Sequence, residues 1–271
     1  SLMLMKLNFS FNKIYVIESL KQDEIKTGKN IYSDLIRWKT LTTNPLHSEY
    51  VEITSKVLFN DTMLRINNEI KEGLSPFLHF EIHGSEDKKG LVLNSGELVT
   101  WEELGNATRV INISTKNNLI ISFATCYGAY FLSSIDINKE APFSCFISTI
   151  EEVTTHEIEI DFTAFFETVL STTNFNLAVD NLNNANKNPN KYHFLSAEEF
   201  LEKLLQKMEQ EDYNSKNIIH RNWVNSLTKK LRDTTPEYAQ LKKKKVKELV
   251  RNQLMNQKSF LRTEMKKSFL M

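Results

Sequence analysis

The sequence is short of several things, and each shortage excludes a class of protein. Two cysteines, Cys126 and Cys145, occur in 271 residues, so a disulfide scaffold is excluded and a reducing compartment, where thiols stay reduced, is expected. The formal net charge is zero, which gives no global pull toward nucleic acid or a membrane surface. No stretch reaches the roughly eighteen apolar residues of a membrane span. The opening Ser1-Leu2-Met3-Leu4-Met5-Lys6 is too short for the apolar part of a secretory signal, and Ser1-Leu2 ahead of Met3 reads as a cloning remnant. His47, His156, His193 and His220 show no ligand spacing, so neither a metal nor any other cofactor is expected. There is no internal repeat. The expectation is a cytoplasmic globular protein.

What is present is ordinary in bulk and uneven in detail. A hydrophobic fraction of 41% with 25% charged residues is typical of a globular chain. A chain of this length can bury roughly three quarters of its unfolded surface without a staple. From Thr228 to Met271 there are 13 Lys or Arg against 4 Asp or Glu, so this tail carries +9 and the remainder −9.

Along the chain, strand-like and helix-like patterns alternate as far as Leu195. Lys13 to Ile17 reads as a strand, Tyr32 to Trp38 as a short helix, and Tyr50 to Ile53 as a second strand. Asp61 is expected to cap a helix that carries Met63, Ile66 and Ile70 on one face and stops at Gly73. Two runs are short, apolar and rich in aromatic or β-branched residues, as buried strands of a parallel sheet are. Phe77 to Ile82 leads into His83-Gly84, and Asn118 to Ala124 leads into Thr125-Cys126-Tyr127-Gly128. Chemistry in open α/β sheets collects at the carboxyl ends of strands, so neighbouring placement of these two would bring His83 and Cys126 together. Between them, Gly90 to Val99 patterns as a hairpin turning at Asn94 to Gly96, and Thr100 with Glu103 forms a capping box for a helix. A helix starting just after Cys126 would put its amino end beside the thiol and favour a thiolate.

Phe143 to Ile150 follows as another buried strand, Phe162 to Leu170 and Phe175 to Lys187 as helices, and Tyr192 to Leu195 as a closing strand. Ser196 and Glu199 box the start of a helix whose apolar face is Phe200, Leu201, Leu204, Leu205 and Met208. Beyond it the pattern is only helical. Ile218, Ile219, Trp223, Val224, Leu227 and Leu231 mark one helix, and Thr235-Pro236 opens another carrying Tyr238, Leu241, Val246, Leu249, Val250 and Leu254. The expected organisation is residues 1–210 as an α/β domain and 211–271 as a basic, all-helical C-terminal extension.

His83-Gly84 and Ala124-Thr125-Cys126-Tyr127-Gly128 resemble the paired motifs of the caspase-like cysteine peptidases, and the hairpin and helix start between them are most similar to the CHAT-type proteases. The resemblance runs from about Lys13 to Met208. It departs at Thr125, where the family commonly has Ala, and at Ser148-Thr149-Ile150, where Ser-Leu-Trp is often found. It implies a three-layer α/β sandwich with a mostly parallel central sheet. It also implies cysteine endopeptidase activity with Cys126 as nucleophile, His83 as base, and the backbone N–H groups of Gly84 and Cys126 as the oxyanion hole. Glu81, two residues before His83 and on the same strand face, is the nearest acid in sequence. Glu151, Glu152 and Asp161 follow the strand that lines the family's specificity pocket and suggest a basic residue before the cleaved bond. The partners expected are a protein or peptide substrate and, through the C-terminal helices, a second copy or another protein; membrane is not expected. Lys242 to Lys245, Lys247 and Arg251 read as a solvated helix face more readily than as a nucleic-acid contact, because four consecutive lysines cannot all point one way. The alternative function is a catalytically idle caspase-like scaffold that acts through its helical tail.

Overall fold

In the computed structural model, residues 10–43, 46–186, 191–210, 218–256 and 258–271 are described. The opening Ser1 to Lys6, Lys187, and the side chains of Met208, Ile218, Ile219, His220, Trp223 and Leu254 lie outside the described residues. The chain divides into two compact units. One holds the residues up to Ile135 together with Ala141–Ala197, and the other holds Asp136–Glu140 and Glu198–Met271.

The first unit is built on eight strands, counted among the described residues. They are β1 (Lys13–Ser19), β2 (His47–Glu52), β3 (Pro76–Gly84), β4 (Gly90–Val92), β5 (Leu98–Thr100), β6 (Ile120–Phe123), β7 (Cys145–Thr149) and β8 (Tyr192–Ser196). The sheet runs β2-β1-β3-β6-β7-β8 and is parallel from β2 to β7, with β8 antiparallel at one edge. Strands β4 and β5 form the expected hairpin, paired to the far end of β3. Fully buried Phe77, Leu78, Phe80, Ile120, Ile121 and Phe123 explain why β3 and β6 lack alternation: both faces of the sheet are covered.

Each face has its own aromatic layer. On one side, Phe77 meets Phe165, Phe166 and Phe175 at ring centroid separations of 5.7–6.1 Å, which brings in α5 (Thr155–Thr172) and α6 (Phe175–Asn184). The helical stretch of α1 (Thr27–Ile31), a π-helical turn (Tyr32–Ile36) and α2 (Arg37–Thr42) adds Ile31 and Ile36 to the same cluster. On the other side, Phe123 packs on Phe80, Trp101, Phe131 and Phe146. That layer includes α4 (Trp101–Ser114), which begins with the expected Thr100–Glu103 capping box and packs on α3 (Lys56–Ile70). The unit is therefore a three-layer α/β sandwich with a mostly parallel central sheet.

Three local expectations change. Helix α3 starts at Lys56, because extended Ser55 accepts the Leu58 amide and Asp61 becomes an exposed residue within the first turns. Helix α5 starts at Thr155 under a Thr154–Glu157 capping box, well before Phe162. The helix expected from Thr235-Pro236 onward is broken into α9 (Pro236–Ala239) and α10 (Lys243–Asn256). At the break, the Arg232 guanidinium donates to the Ala239 carbonyl at 3.3 Å, which satisfies a terminal acceptor that a continuing helix would have used.

Apart from the loop Asp136–Glu140, the described elements of the second unit are all helices. Helix α7 (Ala197–Gln210) runs into it, followed by α8 (Ile218–Thr234), α9, α10 and α11 (Lys258–Leu270). The division falls at Ala197–Glu198, whereas the sequence suggests residue 210. The reason is that α7 belongs with the last helix: the Phe200 and Phe269 rings pack with centroids 6.1 Å apart, and Glu202 pairs with both Arg262 and Lys266. Among the described residues, no helix is long and apolar enough to cross a membrane.

Candidate active site

Register decides what the two motif strands can do together. Strands β3 and β6 are parallel neighbours whose last registered pair is Phe80 and Phe123. His83 and Cys126 each lie three residues beyond that pair, at the same carboxyl edge of the sheet. Gly84 closes the gap, since a Cβ built there would stand 1.9 Å from the Cys126 carbonyl oxygen. Any other residue at this position would force the strand ends apart.

A cavity of about 90 Å³ opens at this edge, and His83, Cys126, Glu24, Glu81, Thr27 and Thr125 all contribute to its wall. Cys126 is partly exposed. Its sulfur accepts the Val153 amide at 3.3 Å, and the Val153 carbonyl oxygen, 3.6 Å away, can accept a hydrogen bond from the thiol. His83 is more open, and its Nε2 lies 2.9 Å from Glu24 Oε1. Among the described residues, the thiol and the imidazole thus face one cavity, yet each is hydrogen-bonded to a third group and not to the other. Catalytic hydrogen bonds often form only once substrate is bound.

The helix expected to begin beside the thiol is a 3₁₀ segment, Gly128–Ser134, entered through Tyr127 in the left-handed conformation (φ 58°). A short 3₁₀ run carries little macrodipole, so the local donor to sulfur is the Val153 amide. Tyr127 ties three loops together. Its N–H donates to the Glu151 carbonyl at 3.0 Å, its hydroxyl donates to Glu152 at 2.5 Å, and the Lys88 ammonium sits 4.5 Å from its ring centroid. The Glu152 carboxylate pushes the Tyr127 hydroxyl up to about 12. Gly128 lets the segment lie flush on the sheet, because a Cβ there would come within 2.3 Å of Ser148 Oγ.

Behind the cavity, β1 and β3 bury a polar row. Glu81 accepts from Thr27 Oγ1 at 2.6 Å and lies 3.0 Å from His79 Nε2, while His79 Nδ1 meets Ser122 Oγ at 2.7 Å. Glu18, in register with Glu81, accepts the Gly28 amide at 2.8 Å and the Tyr50 hydroxyl at 2.6 Å. Burial raises the Glu18 carboxyl, and the neighbouring Glu81 charge adds to it against the Tyr50, Lys29 and Gly28 donors. Partial burial of Glu24 opposes its ionisation, but the Lys21 amide and the His83 ring outweigh it and hold that carboxyl below the usual range.

The other acids named from sequence are placed away from this cavity wall. Glu152 is engaged with Tyr127, and Glu151 sits exposed beside it. Asp161 is buried on α5 and accepts from Asn186 at 2.8 Å, with burial raising its carboxyl. Glu81 shares the cavity with His83, but its hydrogen bonds go to Thr27 and His79, and the acid on the His83 ring is Glu24. Sequence reasoning missed Glu24, Thr27 and Val153. A signal for Glu24 was available: it sits in the loop after β1, and β1 adjoins β3, so that loop opens at the same edge. Cys145 is fully buried in the core, and neither cysteine is in a disulfide.

The fold and the site thus define an α/β sandwich with a cysteine, a histidine and two carboxylates around one strand-end cavity. A scan of protein-family models finds no match to this chain, and a search of curated proteins finds no significant relative.

Proposed function

We propose that the protein is a cysteine endopeptidase of the caspase-like type, closest to the CHAT proteases. The observation that carries this reading is the pair of strand ends, β3 and β6, delivering His83 and Cys126 into one cavity with Gly84 against the Cys126 backbone. His83 takes the Cys126 proton and the thiolate attacks the peptide carbonyl. The N–H groups of Gly84 and Cys126 receive the developing oxyanion, the amine leaves with the proton held by His83, and water then hydrolyses the thioester. With Nε2 held by Glu24, Nδ1 is the ring nitrogen that exchanges the proton. The Val153 amide supports the thiolate before attack.

The cavity carboxylates favour substrates with a basic residue before the cleaved bond. Glu24 and Glu81 line it directly, whereas Glu152 and Asp161 have partners outside it and Glu151 is exposed away from its wall. The thiol chemistry suits a reducing, cytoplasmic setting. A second reading, an idle scaffold, draws on one observation: Cys126 Sγ is bonded to Val153 and not to His83. Turnover of a fluorogenic peptide panel varied before the scissile bond separates the two. The peptidase reading expects cleavage after Arg or Lys that Cys126→Ala and His83→Ala abolish. Absence of Cys126-dependent cleavage, before and after limited proteolysis, favours the scaffold.

A further inference from the structure

In the helical unit, α8, α9 and α10 enclose an open cleft of about 580 Å³. Its wall carries four cations, Lys229, Arg232, Lys243 and Lys247, against one carboxylate, Asp233. Among the described residues, none of these cations is neutralised. Among the described residues, the ion pairs of this unit lie elsewhere, between Glu202 and Arg262 or Lys266, Glu198 and Lys266, and Asp136 and Lys139. Two residues of this wall each bury a polar atom without a hydrogen-bond partner, Arg232 Nε and Asn225 Oδ1. Ser226 and Lys229 are exposed on the same wall, so hydroxyl and ammonium donors are both within reach of a ligand.

Like charges gathered without counter-charges, next to a guanidinium nitrogen that has been taken from water and given no acceptor, call for an anion with several acceptor oxygens. Among the described residues, the wall has no aromatic side chain on which a base could stack. The geometry points to a phosphate-binding cleft, one that holds phosphate groups of a polyanion through Lys229, Arg232, Lys243 and Lys247 without reading bases. This does not depend on the peptidase reading, since it concerns the helical unit alone.

The test uses the full chain and compares two double variants of equal charge loss. Lys229→Ala/Lys243→Ala removes two exposed cleft cations, and Lys242→Ala/Lys244→Ala removes two exposed lysines that do not line the cleft. The probes are a fluorescein-labelled twelve-nucleotide thymidine strand, read by anisotropy across a sodium chloride series, and inorganic tripolyphosphate and polyglutamate as competitors at matched charge. A net of about three neutralised phosphates predicts a log-log salt slope near −2 for the unmodified protein. The cleft variant is expected to flatten that slope by about one unit or more, and the control variant to leave it in place. Tripolyphosphate should compete and polyglutamate should not. Binding of tripolyphosphate without the strand also supports the cleft and assigns it to a small phosphate ligand. Equal losses in both variants would reduce the effect to net charge and overturn the proposal. Equal competition by polyglutamate, or no binding of either phosphate probe, would overturn it as well.

Discussion

Gly84→Ala is the substitution whose consequence follows most directly from the backbone. The new methyl carbon would stand 1.9 Å from the Cys126 carbonyl oxygen, 2.9 Å from its carbon and 3.3 Å from Thr125 Cγ2. The first two obstacles are backbone, so no rotamer change relieves them. The ends of β3 and β6 have to separate by more than about 1 Å before the contact becomes tolerable. Overpacking of this kind costs about 2 kcal/mol, which for the α/β unit corresponds to a fall in Tm of roughly 4–8 °C. The functional cost is larger. A displacement of about 1 Å between nucleophile and base lowers the rate about 100-fold, or about 2.7 kcal/mol of transition-state stabilisation. Differential scanning fluorimetry reads the first number, and second-order labelling of Cys126 by an arginyl acyloxymethyl ketone reads the second. Wild-type labelling together with an unchanged Tm would refute the claim that Gly84 sets the spacing of the two strand ends.

Glu24→Gln removes the acid on the His83 ring, but water reaches both partners, so labelling of Cys126 falls by no more than about fivefold. A 100-fold fall would make Glu24 an obligatory member of the site. Tyr127→Phe keeps the ring under Lys88 and loses only the Glu152 hydrogen bond, so labelling changes less than about twofold, whereas Tyr127→Ala releases all the side-chain ties and lowers it about tenfold. Equal rates in the two variants would remove the loop-tying role. Glu157 is held at about 2 by the Lys191 ammonium and the Thr154 amide, and Lys191 is almost fully buried. Because the folded-state value is depressed, this stabilisation is complete above the ordinary carboxyl value and is lost as pH falls from about 4.5 toward 2. Glu157→Gln is expected to cost about 2 kcal/mol at pH 7 by urea unfolding, and the gap from wild type should narrow below about pH 4.5 and close as pH approaches about 2. A gap that stays constant with pH would contradict the ion-pair account.

Much of the sandwich is legible in the sequence because buried parallel strands leave a dense signature. Phe77 to Ile82 and Leu119 to Ala124 are buried on both faces of the sheet, and the capping box at Thr100 and Glu103 marks the following helix by residue type alone. What was missed depends on contacts distant in sequence. The acid on His83 is 59 residues away in a loop, and the amide on Cys126 is 27 residues away. The left-handed turn at Tyr127 is held by Lys88 and Glu152, so no local propensity announces it. Likewise, Ser55 outcompetes Asp61 as the α3 cap because Phe59 as well as Met63 is drawn into the core. The basic tail shows the same limit. Its lysine run is visible at once, but only the packing of α8 on α10 separates the lysines that face a cleft from those that do not.

The central claim is that His83 activates Cys126. The direct measurement is the pH dependence of Cys126 alkylation by iodoacetamide in the unmodified protein and in His83→Ala, with Cys145→Ser in both backgrounds to isolate the signal. A thiol assisted by an imidazole reacts well below the pH at which a free thiol ionises. The expected result is alkylation at pH 6–7 about tenfold faster or more with His83 present, the two curves converging above about pH 9. Superimposable curves across that range would contradict the account.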